Sequence, residues 1–227
     1  MKKTKRSPKR AILFSAIGIV VICTAVIVLT SLYISNPTKG AVITRYDNPK
    51  SALLVIDVQN DTTGNTALYS NTTGFVNNVN QAIIYAQETG MEILYVRNVT
   101  GKNPIIQLLS SGKYKDGTEG AEFDRNLQVV NENVFTKSIG DSFSSSGFDD
   151  YLRSKNVDTL YIVGADAAAC IYSTARGGKN RQYIVNIIED AIITINEKTR
   201  NDMLKKYEND GMKVIDLARF EELTNAQ

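Results

Sequence analysis

The sequence predicts an α/β protein: one parallel sheet of about six strands, covered by helices on both faces and preceded by a transmembrane helix. Two observations predict it, and a third bears on partners. From Ser51 onward, short apolar runs alternate with segments of helical period, the pattern of βαβ units in a sheet buried on both sides. Before them, Ala11–Ile34 runs without a charge. Net charge is only +2, which gives no global pull toward nucleic acid.

Residues 1–10 carry Lys2, Lys3, Lys5, Arg6, Lys9 and Arg10 with no acid among them. The run Ala11–Ile34 exceeds the about 20 apolar residues that span a bilayer. The flanking charge places Met1 in the cytoplasm by the positive-inside rule. A cleaved signal peptide is the rival reading, but its apolar core is about 7–15 residues and ends in a small-residue site, and SNPTKG supplies none. An uncleaved signal-anchor is expected, with residues 51–227 outside the cytoplasm as one domain at the cell membrane. Residues 35–50, with Pro37, Gly40 and Pro49, read as a linker.

Ala52–Val58 is the first strand, apolar except for Asp57 near its end. Thr73–Thr89 places Phe75, Val76, Val79, Ile83 and Ile84 at helical spacing, with Gly90 to stop it. Met91–Val96 is the second strand. The polar, glycine-rich stretch Asn98–Val130 is long for a connection, which marks a functional loop, and a short helix is expected near Ile105–Leu109. Asn133–Thr136 is a short strand leading to Lys137. Ser146 is placed to cap a helix over Gly147–Lys155. Thr159–Val163 is the fourth strand, and Ala168–Lys179 the helix after it. Gln182–Ile188 (strand), Asn196–Asn209 (helix), Met212–Asp216 (strand) and Ala218–Thr224 (helix) complete the chain. Right-handed crossovers leave few topologies, and the strand order 3-2-1-4-5-6 is expected. Ligands then bind at the carboxyl ends of the strands, where the order reverses.

Three chemically capable residues fall at such ends: Asp57, Lys137 and Cys170. Each alone has a bland reading, as a loop-capping acid, a solvated lysine and a small buried thiol. Together they outline a site. Cys170 lies at the expected start of a helix, where free N–H groups and the dipole stabilise a thiolate. The chain has no histidine, which excludes Ser-His-Asp and Cys-His catalysis and any histidine-ligated metal. Its two cysteines form no disulfide framework.

Four motifs carry a resemblance. DVQND at 57–61, DGTEGAE at 116–122, TKSIGDSF at 136–143 and GADAAAC at 164–170 resemble, in order and spacing, the isochorismatase-like cysteine hydrolases. The resemblance covers residue 51 to about the C-terminus. It implies a Rossmann-like three-layer α/β/α sandwich and a catalytic triad of Asp57, Lys137 and Cys170. It also implies a cis peptide between Ala165 and Asp166, and an oxyanion hole made by the N–H groups of Asp166 and Cys170. Gln59, Phe143 and Ala169 are the candidate pocket residues. The implied activity is hydrolysis of a small amide or ureido C–N bond through a covalent thioester-type intermediate.

The sequence departs from the family in instructive ways. Metal-using nicotinamidases carry histidines after the first strand, where this chain reads DTTGNTALYS, so no metal and no cofactor are expected. True isochorismatases lack the cysteine, so Cys170 argues against vinyl-ether cleavage. Ala167, Ala168 and Ala169 replace larger residues of relatives, and Asp166 adds an acid able to raise the thiol pKa or to receive a cationic substrate. The altered turn also sustains a second hypothesis, a domain that keeps the fold as a binding or scaffold protein at the membrane surface. Expected partners are a small-molecule substrate and the bilayer through residues 11–34, with a homo-oligomer left open and nucleic acid not expected.

Overall fold

The computed structural model describes residues 8–64, 68–101 and 104–225. Most of the basic tail predicted over residues 1–10, and the last two residues of the predicted domain, lie outside them.

In chain order the elements are α1 (Pro8–Ser35), β1 (Lys50–Ile56), α2 (Asn60–Thr63), α3 (Thr72–Glu88), β2 (Glu92–Asn98), α4 (Pro104–Leu109), β3 (Val134–Lys137) and α5 (Phe148–Ser154). They continue with β4 (Val157–Ala165), α6 (Tyr172–Asn180), β5 (Ile184–Ile193), α7 (Glu197–Asn209), β6 (Lys213–Ile215) and α8 (Leu217–Asn225). The six strands form one sheet in the order β3-β2-β1-β4-β5-β6, with every pair parallel, as the sequence predicts.

Because successive side chains of a strand point to opposite faces, β1 feeds two cores. Ala52, Leu54 and Ile56 join Leu160, Ile162, Phe148, Leu152, Ala175 and Tyr207 under α5, α6 and α7. Leu53 and Val55 join Tyr95, Tyr161, Val163, Phe75, Val79, Ile83 and Phe220 under α3 and α8. Ala52 through Ile56 are fully buried, which is why this run reads as continuously apolar. Gly164 makes the central pairing possible. Its φ is 123°, and a Cβ there would run into the carbonyl oxygen of Ile56.

Some boundaries move for tertiary reasons. β2 extends to Asn98 because it pairs there with Lys137. β5 starts two residues late, after Gln182 at φ 67°, and continues to Ile193 through a register shift that pairs Ile192 and Ile193 with Gly164 and Ala165. Ser146 does not cap α5. The cap position is Gly147 at φ 75°, and no side chain bonds the first turn.

Among the described residues, α1 is the one helix long and apolar enough to cross a membrane, with a mean hydropathy of 2.6 over Ile17–Ser35. From Ile19 to Leu29 its residues are exposed, and near its end Thr30, Ser31 and Ile34 are partly covered. The segment read as a linker is bound to the domain. Thr38 donates its N–H and its hydroxyl to Asp141 Oδ2, both at 2.7 Å. Arg181 reaches the carbonyls of Thr38 and Lys39, each at 3.2 Å, Arg153 bonds that of Ala41, and Ile43 donates to the Arg181 carbonyl at 2.9 Å. The segment is a strap down the α5–α6 side.

Candidate active site

β1 delivers Asp57. The residue adopts φ 54°, a left-handed conformation that costs a non-glycine residue about 1–3 kcal/mol and persists where the surroundings enforce it. Here its N–H donates to the Val96 carbonyl and its own carbonyl accepts from Thr62 Oγ1, both at 2.8 Å. Lys137 closes β3 and reaches across the end of β2. Its Nζ lies 2.7 Å from Asp57 Oδ2, and the two side chains are 0% and 4% exposed. Asp57 Oδ1 is buried with no hydrogen-bond partner among the described residues. It is therefore an open acceptor in a site where burial makes an unpaired carboxylate oxygen costly.

Cys170 comes from the turn after β4, the strand beside β1. The Ala165–Asp166 peptide is cis. Residues Ala167–Ile171 then form a single π-helical turn before α6, so Cys170 sits in that turn rather than in the first turn of a long helix. Asp166 organises it. Its carboxylate accepts from the Ala168 N–H at 2.6 Å, and its carbonyl accepts from Ala169 and Ile171 at 3.0 and 3.1 Å. Tyr207 of α7 donates its hydroxyl to the Ala167 carbonyl. The N–H groups of Asp166 and Cys170 thus belong to a turn fixed from both sides.

The resting charge state differs from the thiolate that the helix dipole suggests. Burial pushes the Cys170 thiol up to about 12, and the Asp57 carboxylate adds to this, while Lys137 pulls it down without prevailing. For Lys137 burial acts to lower the pKa, but Asp57 and Cys170 outweigh it and the ammonium is held above its ordinary range. The site at rest is a thiol beside an ammonium–carboxylate pair. Burial also raises the Asp166 carboxyl, against the Ala168 bond and others that lower it. That acid is occupied in capping its own turn.

The candidate pocket residues divide. Ala169 is exposed beside Cys170. Gln59 is fully buried and spends its amide on the backbone: Nε2 donates to Asn98 O and Ala121 O at 2.9 and 2.6 Å, and Oε1 accepts from Asn98 N at 2.8 Å. It pins the long loop to the end of β2 rather than lining a pocket. Phe143 is a correction. Its ring packs in the core against Phe148 and Tyr183, under the Arg181 guanidinium, because the turn after β3 folds back over α6.

Two residues that the sequence reading missed lie near the site. Burial raises the Tyr69 pKa, and the Asp166 carboxylate adds to this. Tyr114 is raised by burial, and Asp57 and Cys170 add to this; its hydroxyl is 3.0 Å from Thr62 Oγ1. Tyr114 had a signal, being the only aromatic in the polar loop before Phe123. Among the described residues, no three His, Cys, Asp or Glu side chains gather to hold a metal ion.

A parallel sheet with an acid, a lysine and a cysteine converging at its switch point defines a recognisable class. A family model described as isochorismatase domain matches residues 51–219, and the chain belongs to the isochorismatase family. An uncharacterized isochorismatase family protein of Bacillus subtilis is 28% identical over 147 residues, 63% of this chain and 78% of its own. Among solved structures, a cysteine hydrolase from Pseudomonas syringae pv. phaseolicola superposes with a TM-score of 0.72 at 17% identity, covering 83% of this chain and 99% of that one. N-carbamoylsarcosine amidase from Thermoplasma acidophilum gives 0.66 at 22% identity, covering 74% and 96%.

Proposed function

We propose that the protein is a membrane-anchored cysteine hydrolase that cleaves a small amide or ureido C–N bond. The observation that carries this is the buried Lys137–Asp57 pair set against the Cys170 thiol, with one Asp57 oxygen unpartnered. The amidase among the similar structures supports the bond class.

In this reading Asp57 Oδ1 takes the thiol proton as the sulfur attacks the carbonyl carbon. Lys137 stays protonated and offsets the charge of carboxylate and thiolate in turn. The N–H groups of Asp166 and Cys170 receive the oxyanion, an effect worth about 2.7–4 kcal/mol per donor. The protonated Asp57 gives its proton to the leaving nitrogen, the C–N bond breaks, and an amine or ammonia departs. Water, deprotonated by Asp57, then cleaves the thioester and restores the thiol. The high resting pKa suits this order of events: the proton leaves sulfur only when an electrophile is in place.

The anchor belongs to the same proposal. α1 has 28 residues, about 42 Å at 1.5 Å per residue, against about 30 Å of hydrocarbon. The basic N-terminal run keeps that end in the cytoplasm and the domain outside. Protease added to intact cells should release the domain and leave the tail protected. Protection until lysis would reverse the orientation.

The catalytic test uses the full chain in detergent with a panel of small amides and ureido compounds. Ammonia or amine release by the native protein, none by Cys170→Ser, and a mass adduct on the native protein alone are expected. No turnover across the panel with Cys170 unmodified would favour the scaffold reading.

A further inference from the structure

The end of the sheet that carries the site is also the end that meets α1. The Ile34 carbonyl accepts from the Gly140 N–H at 2.8 Å, and the Ser35 carbonyl from Ser173 Oγ at 3.0 Å. Gly140 lies three residues past Lys137, and Ser173 three past Cys170. α4, in the loop after β2, packs against α1 at the same end.

Two features fix the height of this end relative to lipid. The uncharged run Ala11–Ile34 is only slightly longer than the about 20 residues a bilayer needs, so α1 has about one helical turn of freedom along its axis. The strap removes the slack a linker would give, because Asp141, Arg153 and Arg181 hold Thr38–Ala41 directly after the helix. The domain therefore sits at the lipid boundary with its carboxyl-terminal sheet edge inward.

α4 is suited to that position. Its sequence, PIIQLL, has no charge, none of its residues is buried, and Leu108 and Leu109 are 68% and 37% exposed. The exposed Leu108 and Leu109 side chains gain by burial among headgroups and upper acyl chains. We propose that α4 beds into the outer boundary of the membrane that α1 crosses, so that Asp57, Lys137 and Cys170 open toward the bilayer surface. The inference rests on α1 spanning that bilayer. It makes the substrate one presented at the membrane surface.

The chain contains no tryptophan, so single reporters read cleanly. Full-length Leu108→Trp, Val26→Trp and Glu88→Trp would be placed in vesicles whose acyl chains are brominated near the headgroup. Val26 lies in α1, and Glu88 is exposed at the opposite edge of the sheet, where α3 ends. Emission from Leu108→Trp should fall by roughly half, as for a group about 5–10 Å into the boundary, with Val26→Trp quenched and Glu88→Trp not. Quenching at Val26 with Leu108 no more quenched than Glu88 overturns the inference and leaves the anchor standing. No quenching at any of the three overturns the anchor and the inference with it.

Discussion

Lys137 and Asp57 are 80 residues apart in the chain and 2.7 Å apart in space, with β2 lying between the strands that carry them. The pair is almost wholly removed from water. Attraction in such a pair barely offsets desolvation, but loss of one partner strands the other as a buried charge.

Lys137→Met keeps the stem and removes the charge. It should lower stability by about 3–5 kcal/mol in urea unfolding of the detergent-solubilised chain. Adding Asp57→Asn should return a large part of that loss, because the orphaned carboxylate is then gone. A loss under about 1 kcal/mol from Lys137→Met would mean that water reaches the pair.

Alkylation of Cys170, read in a Cys23→Ser background, should keep accelerating from pH 9 toward pH 12 instead of levelling near the ordinary thiol value, because burial and Asp57 hold the thiol near 12. Asp57→Asn should move the curve to lower pH while abolishing turnover; Lys137→Met should move it higher. A plateau by pH 9 in the parent would contradict the described environment.

The same thiol makes a stability prediction. Its folded pKa is raised above the unfolded value of 9.0, so the folded state holds the proton more tightly. The stability that this shift contributes is full below pH 9 and is lost as pH rises through about 12. Cys170→Ser has no such titration. The difference in stability between the two proteins should shift toward the variant across that window, and a constant difference would argue against a thiol held protonated by its surroundings.

Strong chelators should leave turnover unchanged, since the chain lacks histidine and no ligand cluster occurs among the described residues. Activity lost to chelation and restored by zinc or manganese would require a site built from carboxylates such as Asp57 and Asp61.

The sequence by itself determined the element order, the strand order and the residue types of the site. Apolar runs, helical periods and glycines are local signals, and right-handed crossovers turn an alternating pattern into few sheets. The tertiary structure decided what those residues do to one another. The Cys170 thiol looked like a helix-stabilised thiolate because a helix start is visible locally, whereas its burial and the Asp57 carboxylate that keep it protonated come from other strands. Phe143 looked like a pocket residue by position in its motif, and only the packing of Phe148, Tyr183 and Arg181 around it makes it core. Gln59 clamps a loop 62 residues away at Ala121, and Tyr69 and Tyr114 come near the site from segments whose polar sequences carry no period. The strap shows the reason most plainly. Pro37, Gly40 and Pro49 spell a break in regular structure, but its attachment depends on Asp141, Arg153 and Arg181, more than 100 residues farther along the chain.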